Sequence, residues 1–212
     1  ASDYLVTEKF NLKSLMRTIL QSATYQRSSL PLDENREEGR FYSRYYPKRL
    51  MAEVLLDAIS TATDVPTAFT HVAFPGGDRQ ETKFYEKGTR AIQLYDSAVD
   101  SYFLSTFGRN ARDITCECER SDEPSMVQVL HIANGVTIND KLKSEEGRVA
   151  ELLASKKSDS DVLNEIFLNC LSRLPTEVER SQILELLSGI SDDDADQKRL
   201  VLEDIFWSLL ST

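Results

Sequence analysis

The 212 residues carry 35 Asp and Glu against 25 Lys and Arg, a formal net charge of −10, and most of the acidic excess lies after residue 136. An acidic surface repels phosphate backbones, so the composition argues against nucleic acid as a partner. No apolar stretch approaches the ~18–20 residues that span a bilayer, so no membrane insertion by this segment is expected. With 41% hydrophobic and 28% charged residues, the chain has the composition of a globular domain with a packed core.

Two stretches in the first part of the chain show helical periodicity. Apolar residues recur every three or four positions over about 11–23, with Asn11 as the candidate N-cap. Residues 34–46 predict a short polar helix or turn that ends at Pro47, because the residue before a proline is disfavoured in a helix. The segment 48–62 has the clearest apolar stripe and predicts the strongest helix.

Residues 63–115 lack this periodicity. Proline and glycine interrupt the segment, and threonine, valine, phenylalanine and tyrosine are frequent in it. This pattern predicts long irregular structure with two short strands, near 69–74 and 90–95. So long a connection inside a compact domain more often carries a site or a contact surface than serves as a plain linker.

Helical patterns return after Pro124 and continue almost to the end of the chain. Gly135 is expected to stop the first helix, and Thr176 and Glu179 have the spacing of a capping box. Helices are predicted at about 127–134, 136–155 with a break near Gly147, 160–172, 177–188 and 196–210. The predicted fold class is therefore mainly α, a single helical bundle over 1–212 that carries the irregular segment 63–115.

A polar stripe on the strongest predicted helix is the first candidate site. Arg49, Glu53 and Asp57 are spaced four residues apart and would share one helix face. One interpretation is a carboxylate pair oriented by an arginine, suited to acid–base chemistry or metal binding. The favoured interpretation is an Arg49–Glu53 ion pair on a helix surface, worth ~0.2–0.5 kcal/mol.

The segment around Cys116 and Cys118 is the second candidate. With His131 as a third ligand these cysteines could hold a metal, and the adjacent Glu119 and Arg120 could join a catalytic site. Zinc sites, however, normally have two to four residues between paired cysteines, and only one residue lies between these two. A disulfide between two cysteines this close in the chain would be strained. We therefore favour free thiols before a helix and a packed, hydrogen-bonded His131.

A basic–aromatic strip in residues 36–48 is the third candidate. Arginines beside aromatic rings can bind nucleic acid or anionic sugars. Neighbouring glutamates at 34, 37 and 38 nearly neutralise the strip, so we favour arginines that pair with these glutamates and cover tyrosine rings. The strip contains Arg36, Arg40, Arg44 and Lys48, interleaved with Phe41, Tyr42, Tyr45 and Tyr46.

Motifs that would identify a cofactor or a nucleophile are absent from the sequence. There is no glycine-rich phosphate loop, no HExxH, no nucleophile elbow and no CxxCH haem-attachment motif. The sequence therefore predicts no cofactor, and it favours a domain that is not an enzyme.

Several segments, in order along nearly the whole chain, resemble a C-terminal domain of unknown function. They are LKSLMRTILQSATYQRSS (12–29), FYSRYYPKRLMAEVLLDAI (41–59), GTRAIQL (88–94), CECERSDEPSMVQVLHIANG (116–135) and LSRLPTEVE (171–179). That domain occurs in large surface or periplasmic proteins of planctomycete and verrucomicrobial type, often beside a cytochrome-c-like domain. The resemblance implies a module cut from a larger exported protein, located in the periplasm or at the cell surface, in a polysaccharide-degrading setting. Its implied partners are the other domains of the parent protein, with polysaccharide or another surface protein as further candidates.

Two functional hypotheses follow. The first is a non-catalytic structural or protein-interaction module. The second is an enzyme domain or half-site that joins Arg49, Glu53 and Asp57 to the segment from Cys116 to Arg120. A catalytic site should lie in a pocket with perturbed titration, whereas an interaction module should expose an apolar surface.

Overall fold

The computed structural model describes residues 2–74, 76–95, 98–109, 124–155, 157–191 and 194–211. Helices account for 54% of this part, and the named strands form one short antiparallel pair, which confirms the mainly α fold class. None of the described helices is both long and apolar enough to cross a membrane. The α-helices are α1 Ser2–Thr7, α2 Leu12–Leu20, α3 Ala52–Thr63, α4 Tyr102–Thr106, α5 Met126–Asn134, α6 Val136–Leu142, α7 Arg148–Ala154, α8 Asp159–Leu171, α9 Glu177–Ser188 and α10 Ala195–Leu210.

The chain groups into two compact units, residues 1–49 and 50–212. In the first unit, the Tyr4 hydroxyl lies 2.6 Å from the Ser14 hydroxyl and links α1 to α2. Asn11 caps α2 as predicted, because its side chain accepts a hydrogen bond from the Ser14 amide. The apolar stripe of α2 contains no buried residue. That the whole chain forms a single domain stays a prediction.

Helix α3 is the centre of the second unit. It packs against the 3₁₀ helix Ala91–Gln93 and against α4, α6, α7 and α8. Helix α10 packs on α6, α7 and α8, while α9 packs on α8 and α5 on α6. The most buried large side chains of this unit are Leu56, Leu104, Ile138, Val149, Leu163, Ile166, Phe167, Leu202 and Phe206.

Helix α3 begins later than predicted and ends close to the predicted residue. The helix begins at Ala52 rather than near 48, since Met51 is extended at the N-cap. Asp64 ends it in the left-handed region, with φ at 57°. Two cations bind carbonyls at this end: the Arg148 Nε donates to the Ala62 oxygen in the last turn at 2.9 Å, and the Lys141 Nζ donates to the Val65 oxygen just beyond the helix at 2.5 Å. Positive charge is stabilising at this end of a helix.

The described part of the segment 63–115 is irregular, as predicted, and one of its two named strands lies where a strand was expected while the other does not. Strand β1 at His71–Val72 falls within the first predicted strand and pairs with β2 at Gln80–Glu81. The strand predicted near 90–95 is wrong, because Ala91–Gln93 forms a 3₁₀ helix. Helix α4, also within this segment, has only five residues, too few for a periodicity to be read.

The C-terminal helices confirm the local signals in the sequence. The predicted break near Gly147 separates α6 from α7, and a Cβ at this glycine would lie 2.9 Å from Cγ2 of Val65. The capping box is complete, since Thr176 accepts from the Glu179 amide and the Glu179 carboxylate accepts from the Thr176 amide.

Gly135 forms the tight junction between α5 and α6, and it generates a test of the fold. A Cβ at Gly135 would lie 2.1 Å from the carbonyl oxygen of His131, and backbone cannot move aside as a flexible side chain does. We expect Gly135→Ala to lower the free energy of unfolding by at least about 2 kcal/mol in urea denaturation.

Gly189→Ala is the matched control in the same unit. A Cβ at Gly189 meets its nearest atom at an ordinary 3.5 Å, so this variant should be neutral or slightly stabilising. Equal stability of the two variants would contradict the packing described for the α5–α6 junction.

Candidate functional site

Two carboxylates of α3 are buried side by side on the helix. Glu53 is 6% exposed and Asp57 is 7% exposed. Burying a charge is costly unless it is paired and hydrogen-bonded, so the partners of these groups define their role. The interpretation of Glu53 as part of a helix surface is therefore wrong.

Glu53 forms a buried ion pair with Arg109. The Oε1 of Glu53 lies 3.4 Å from the Nε of Arg109, and both side chains are about nine-tenths buried. The Nη2 of Arg109 also donates to the Leu94 oxygen at 3.4 Å. The pair thus joins α3 to the residues that follow α4.

Asp57 holds the start of the 3₁₀ helix Ala91–Gln93. Its two carboxylate oxygens accept hydrogen bonds from the Ala91 amide at 2.7 Å and the Ile92 amide at 3.1 Å. The Nε of Arg90 lies 3.7 Å from the second oxygen, but the arginine is well exposed, so this ion pair is weak. Asp57 therefore acts as a capping carboxylate supplied by a distant helix.

Arg49 lies before the first residue of α3, in the N-terminal unit. The four-residue spacing that would place it on one face with Glu53 and Asp57 applies only inside a helix. Of the three residues predicted to share a stripe, the helix therefore carries the two carboxylates.

A cavity of about 430 Å³ lies beside Asp57 and opens to solvent. Its lining combines Asp57, Asp64 and Arg90 with the hydroxyls of Ser60 and Thr89. These hydroxyls donate to backbone oxygens, those of Leu56 and Glu86 respectively, which leaves their lone pairs as acceptors. The Ser60 oxygen also lies 3.2 Å from the Thr67 hydroxyl. The cavity can hydrogen-bond a small polar molecule that carries donor groups.

His131 is packed among aromatic rings, as the favoured interpretation expected. Its ring centroid lies 5.3 Å from that of Tyr102, 5.5 Å from Phe103 and 6.0 Å from Phe107. Its Nε2 lies 3.0 Å from the Thr137 hydroxyl. Burial lowers the pKa of His131.

The other proposed ligands and catalytic residues of the second candidate cannot be placed. Cys116, Cys118, Glu119 and Arg120 lie outside the described residues. Within the described ranges, no three His, Cys, Asp or Glu side chains come together as a metal ion would require.

Two further side chains titrate abnormally because they are buried. Burial raises the pKa of the Cys170 thiol to about 12, which leaves almost no nucleophilic thiolate at neutral pH. Burial lowers the pKa of Lys141 to about 8, but its amine is directed at the Val65 carbonyl. Both groups contribute to the packing around α3 and α8.

The basic–aromatic strip is organised by Glu38. Its carboxylate accepts hydrogen bonds from the Phe41 amide, the Ser43 hydroxyl and the Arg40 amide, which together lower the pKa of Glu38 to about 2. The Arg44 guanidinium lies 4.5 Å from the Tyr46 ring centroid, so the prediction that arginines cover tyrosine rings is confirmed here. Arg36 pairs with Asp33 at 3.2 Å rather than with a glutamate of the strip.

Arg109 and Arg90 are the partners that sequence reasoning missed. Each lies more than thirty positions from the carboxylate it meets, and nothing in the local pattern around Gly108 or Gly88 signals such a contact. The sequence indicates a buried polar contact only by placing Glu53 and Asp57 beside the apolar stripe of the strongest predicted helix.

The titration of His131 predicts how stability depends on pH. Because its folded pKa lies below the ordinary value of 6.5, the unfolded chain binds the proton more readily. The free energy of unfolding should be fully retained above about pH 6.5 and should fall as the pH drops below it. His131→Gln should flatten this dependence between about pH 5 and 7, measured by urea denaturation.

The control is His71→Gln, which replaces the chain's other histidine, on β1, and leaves the packing around His131 untouched. The lowered pKa values of Glu38 and Glu179, each to about 2, act in a separate window, since their contribution is lost only as the pH falls below 4.5. An unchanged slope in His131→Gln would show that this histidine is not buried as described.

Comparison with known proteins places the chain in a family. No curated protein and no solved structure matches it. The model of the family PSD1, described as a protein of unknown function (DUF1553), matches residues 2–187. The match covers most of the chain and includes both buried carboxylates and the segment 63–115. The chain belongs to this family of unknown function.

Proposed function

We propose that this domain is a non-catalytic structural or protein-interaction module of a large exported multidomain protein. Its partners are other domains of the same parent, and polysaccharide or another surface protein are further candidates. The location in the periplasm or at the cell surface, and the setting of polysaccharide degradation, rest on the resemblance of the quoted segments.

One observation carries the proposal: both oxygens of Asp57 are engaged by backbone amides of its own chain. A general base or a metal ligand must present an oxygen to a substrate or an ion. Asp57 uses one lone pair of each oxygen to hold the 3₁₀ helix Ala91–Gln93, which fixes the carboxylate in place, and a buried amide left without an acceptor costs ~1–3 kcal/mol. The second carboxylate, Glu53, is in turn paired with a buried arginine.

The alternative is an enzyme domain or half-site, and the polar cavity beside Asp57 favours it. That cavity brings a carboxylate, an arginine and several hydroxyls to one place, which is the kind of lining a small polar substrate needs. In this alternative the segment from Cys116 to Arg120 would complete the site.

Replacing Asp57 separates the two functions. We expect Asp57→Asn to lower the free energy of unfolding by about 1–3 kcal/mol, because an amide can accept only through its single oxygen. Any activity of the parent protein, expressed per folded molecule, should stay unchanged. The readouts are the thermal midpoint of the chain and the activity of the full-length parent that carries the same substitution.

Asp64→Asn is the matched control. Asp64 lines the same cavity but is exposed and left-handed, a conformation that asparagine accepts readily, so this variant should change neither readout. Loss of parent activity in Asp57→Asn at an unchanged thermal midpoint would overturn the structural role and make the carboxylate a catalytic candidate.

A further inference from the structure

A groove of about 660 Å³ lies between α9 and α10. The two helices both rest on α8, and residues 189–194 link them in sequence. Its lining combines aliphatic side chains with polar ones. The aliphatic lining residues are Ile183, Leu186, Ile190, Val201 and Ile205.

The charge around this groove has one sign. Among the described residues that line it, the charged ones are Asp194 and Asp204. In the sequence, Asp192 and Asp193 precede Asp194 between the two helices, and most of the negative charge of the whole chain belongs to its C-terminal part.

The basic residues of α9 and α10 are used on the other side of these helices. Arg180 of α9 donates to the Ser160 hydroxyl and the Asn164 side chain on α8. Lys198 pairs with Asp159 at the start of α8, at 2.7 Å. These contacts direct both cations toward α8 and away from the groove. Asp194 also caps α10, since its Oδ1 accepts a hydrogen bond from the Gln197 amide at 3.0 Å.

Arg199, the remaining cation, is also engaged away from the groove. It pairs with Glu145 and Glu203, at 2.8 Å each, and donates to the Lys143 oxygen at 2.7 Å. All three basic residues of the two helices are thus held by side chains or carbonyls outside the groove lining.

We propose that the groove between α9 and α10 binds an amphipathic α-helix of another polypeptide, with aliphatic side chains on one face and Lys or Arg beside them. The partner is a helix because both walls are helices, which offer no free backbone groups to an added strand, while a helix satisfies its own backbone. The aliphatic face fills the groove, and the basic side chains meet Asp194 and Asp204. This inference rests on the proposed function as an interaction module and names its surface and partner.

The probe is a fluorescent peptide of about 15 residues, with leucines at helical spacing and lysines beside them, in titrations followed by fluorescence anisotropy. A peptide of the same composition in scrambled order and one with glutamate in place of lysine are the probe controls. We expect the first peptide to bind the chain and both controls to bind far more weakly.

Matched variants locate the binding. Leu186 lines the groove and Val178 lies elsewhere on α9, and they are 62% and 66% exposed, so alanine at either position should leave the fold intact. Leu186→Ala should weaken the peptide about tenfold, while Val178→Ala should not. Asp204→Asn should weaken it about twofold to fivefold in a salt-dependent way, with the exposed Asp140→Asn as its control.

Four results would overturn the inference: no binding of the peptide, equal binding of its scrambled version, equal effects of Leu186→Ala and Val178→Ala, or a dimer of this chain that Leu186→Ala dissociates. The last would assign the groove to a second copy. Each of these leaves the proposed function standing, because that proposal is tested by Asp57 variants, which do not touch the groove.

Discussion

The burial of two carboxylates on α3 is the constraint on which the second unit depends. Charges removed from water must be matched within the protein, and each of these charges is matched by a part of the chain remote in sequence. Asp57 receives the amides of Ala91 and Ile92, and Glu53 receives Arg109. With apolar residues at positions 53 and 57, α3 would still pack against the core. It would not, however, fix the position of the irregular segment 63–115 along the helix.

At the C-terminal end of α3 the charges are reversed: positive side chains bind backbone oxygens. The Ala62 carbonyl in the last turn of α3 accepts from Arg148 of α7, and the Val65 carbonyl just beyond the helix accepts from Lys141 of α6. The helix therefore orders its surroundings at both ends, by negative side chains along its first half and by backbone oxygens at its last turn. Charge also sorts the surface of α9 and α10, where Arg180, Lys198 and Arg199 are engaged outside the groove while Asp194 and Asp204 line it.

The sequence predicts those features, such as helix caps, that depend on residues a few positions apart. The caps at Asn11 and Thr176 were identified because the capping side chain lies three residues from the amide it binds. The 3₁₀ helix Ala91–Gln93 was taken for a strand because its acceptor, Asp57, is 34 positions away from Ala91. Glu53 was assigned to a surface because the nearest arginine in the sequence is Arg49, while its buried partner is Arg109. The fold class was thus readable from periodicity, but the candidate site was readable only as two carboxylates without their partners.

Residue-resolved amide hydrogen exchange tests most directly whether Asp57 is a structural acceptor. If its carboxylate holds the Ala91 and Ile92 amides in the folded state, these amides exchange only when the unit unfolds globally. Their protection should then equal that of core amides in α3, such as that of Ile59. Exchange of Ala91 and Ile92 at the rate of an exposed loop would contradict the account, because it would show that the carboxylate is free to act on something else.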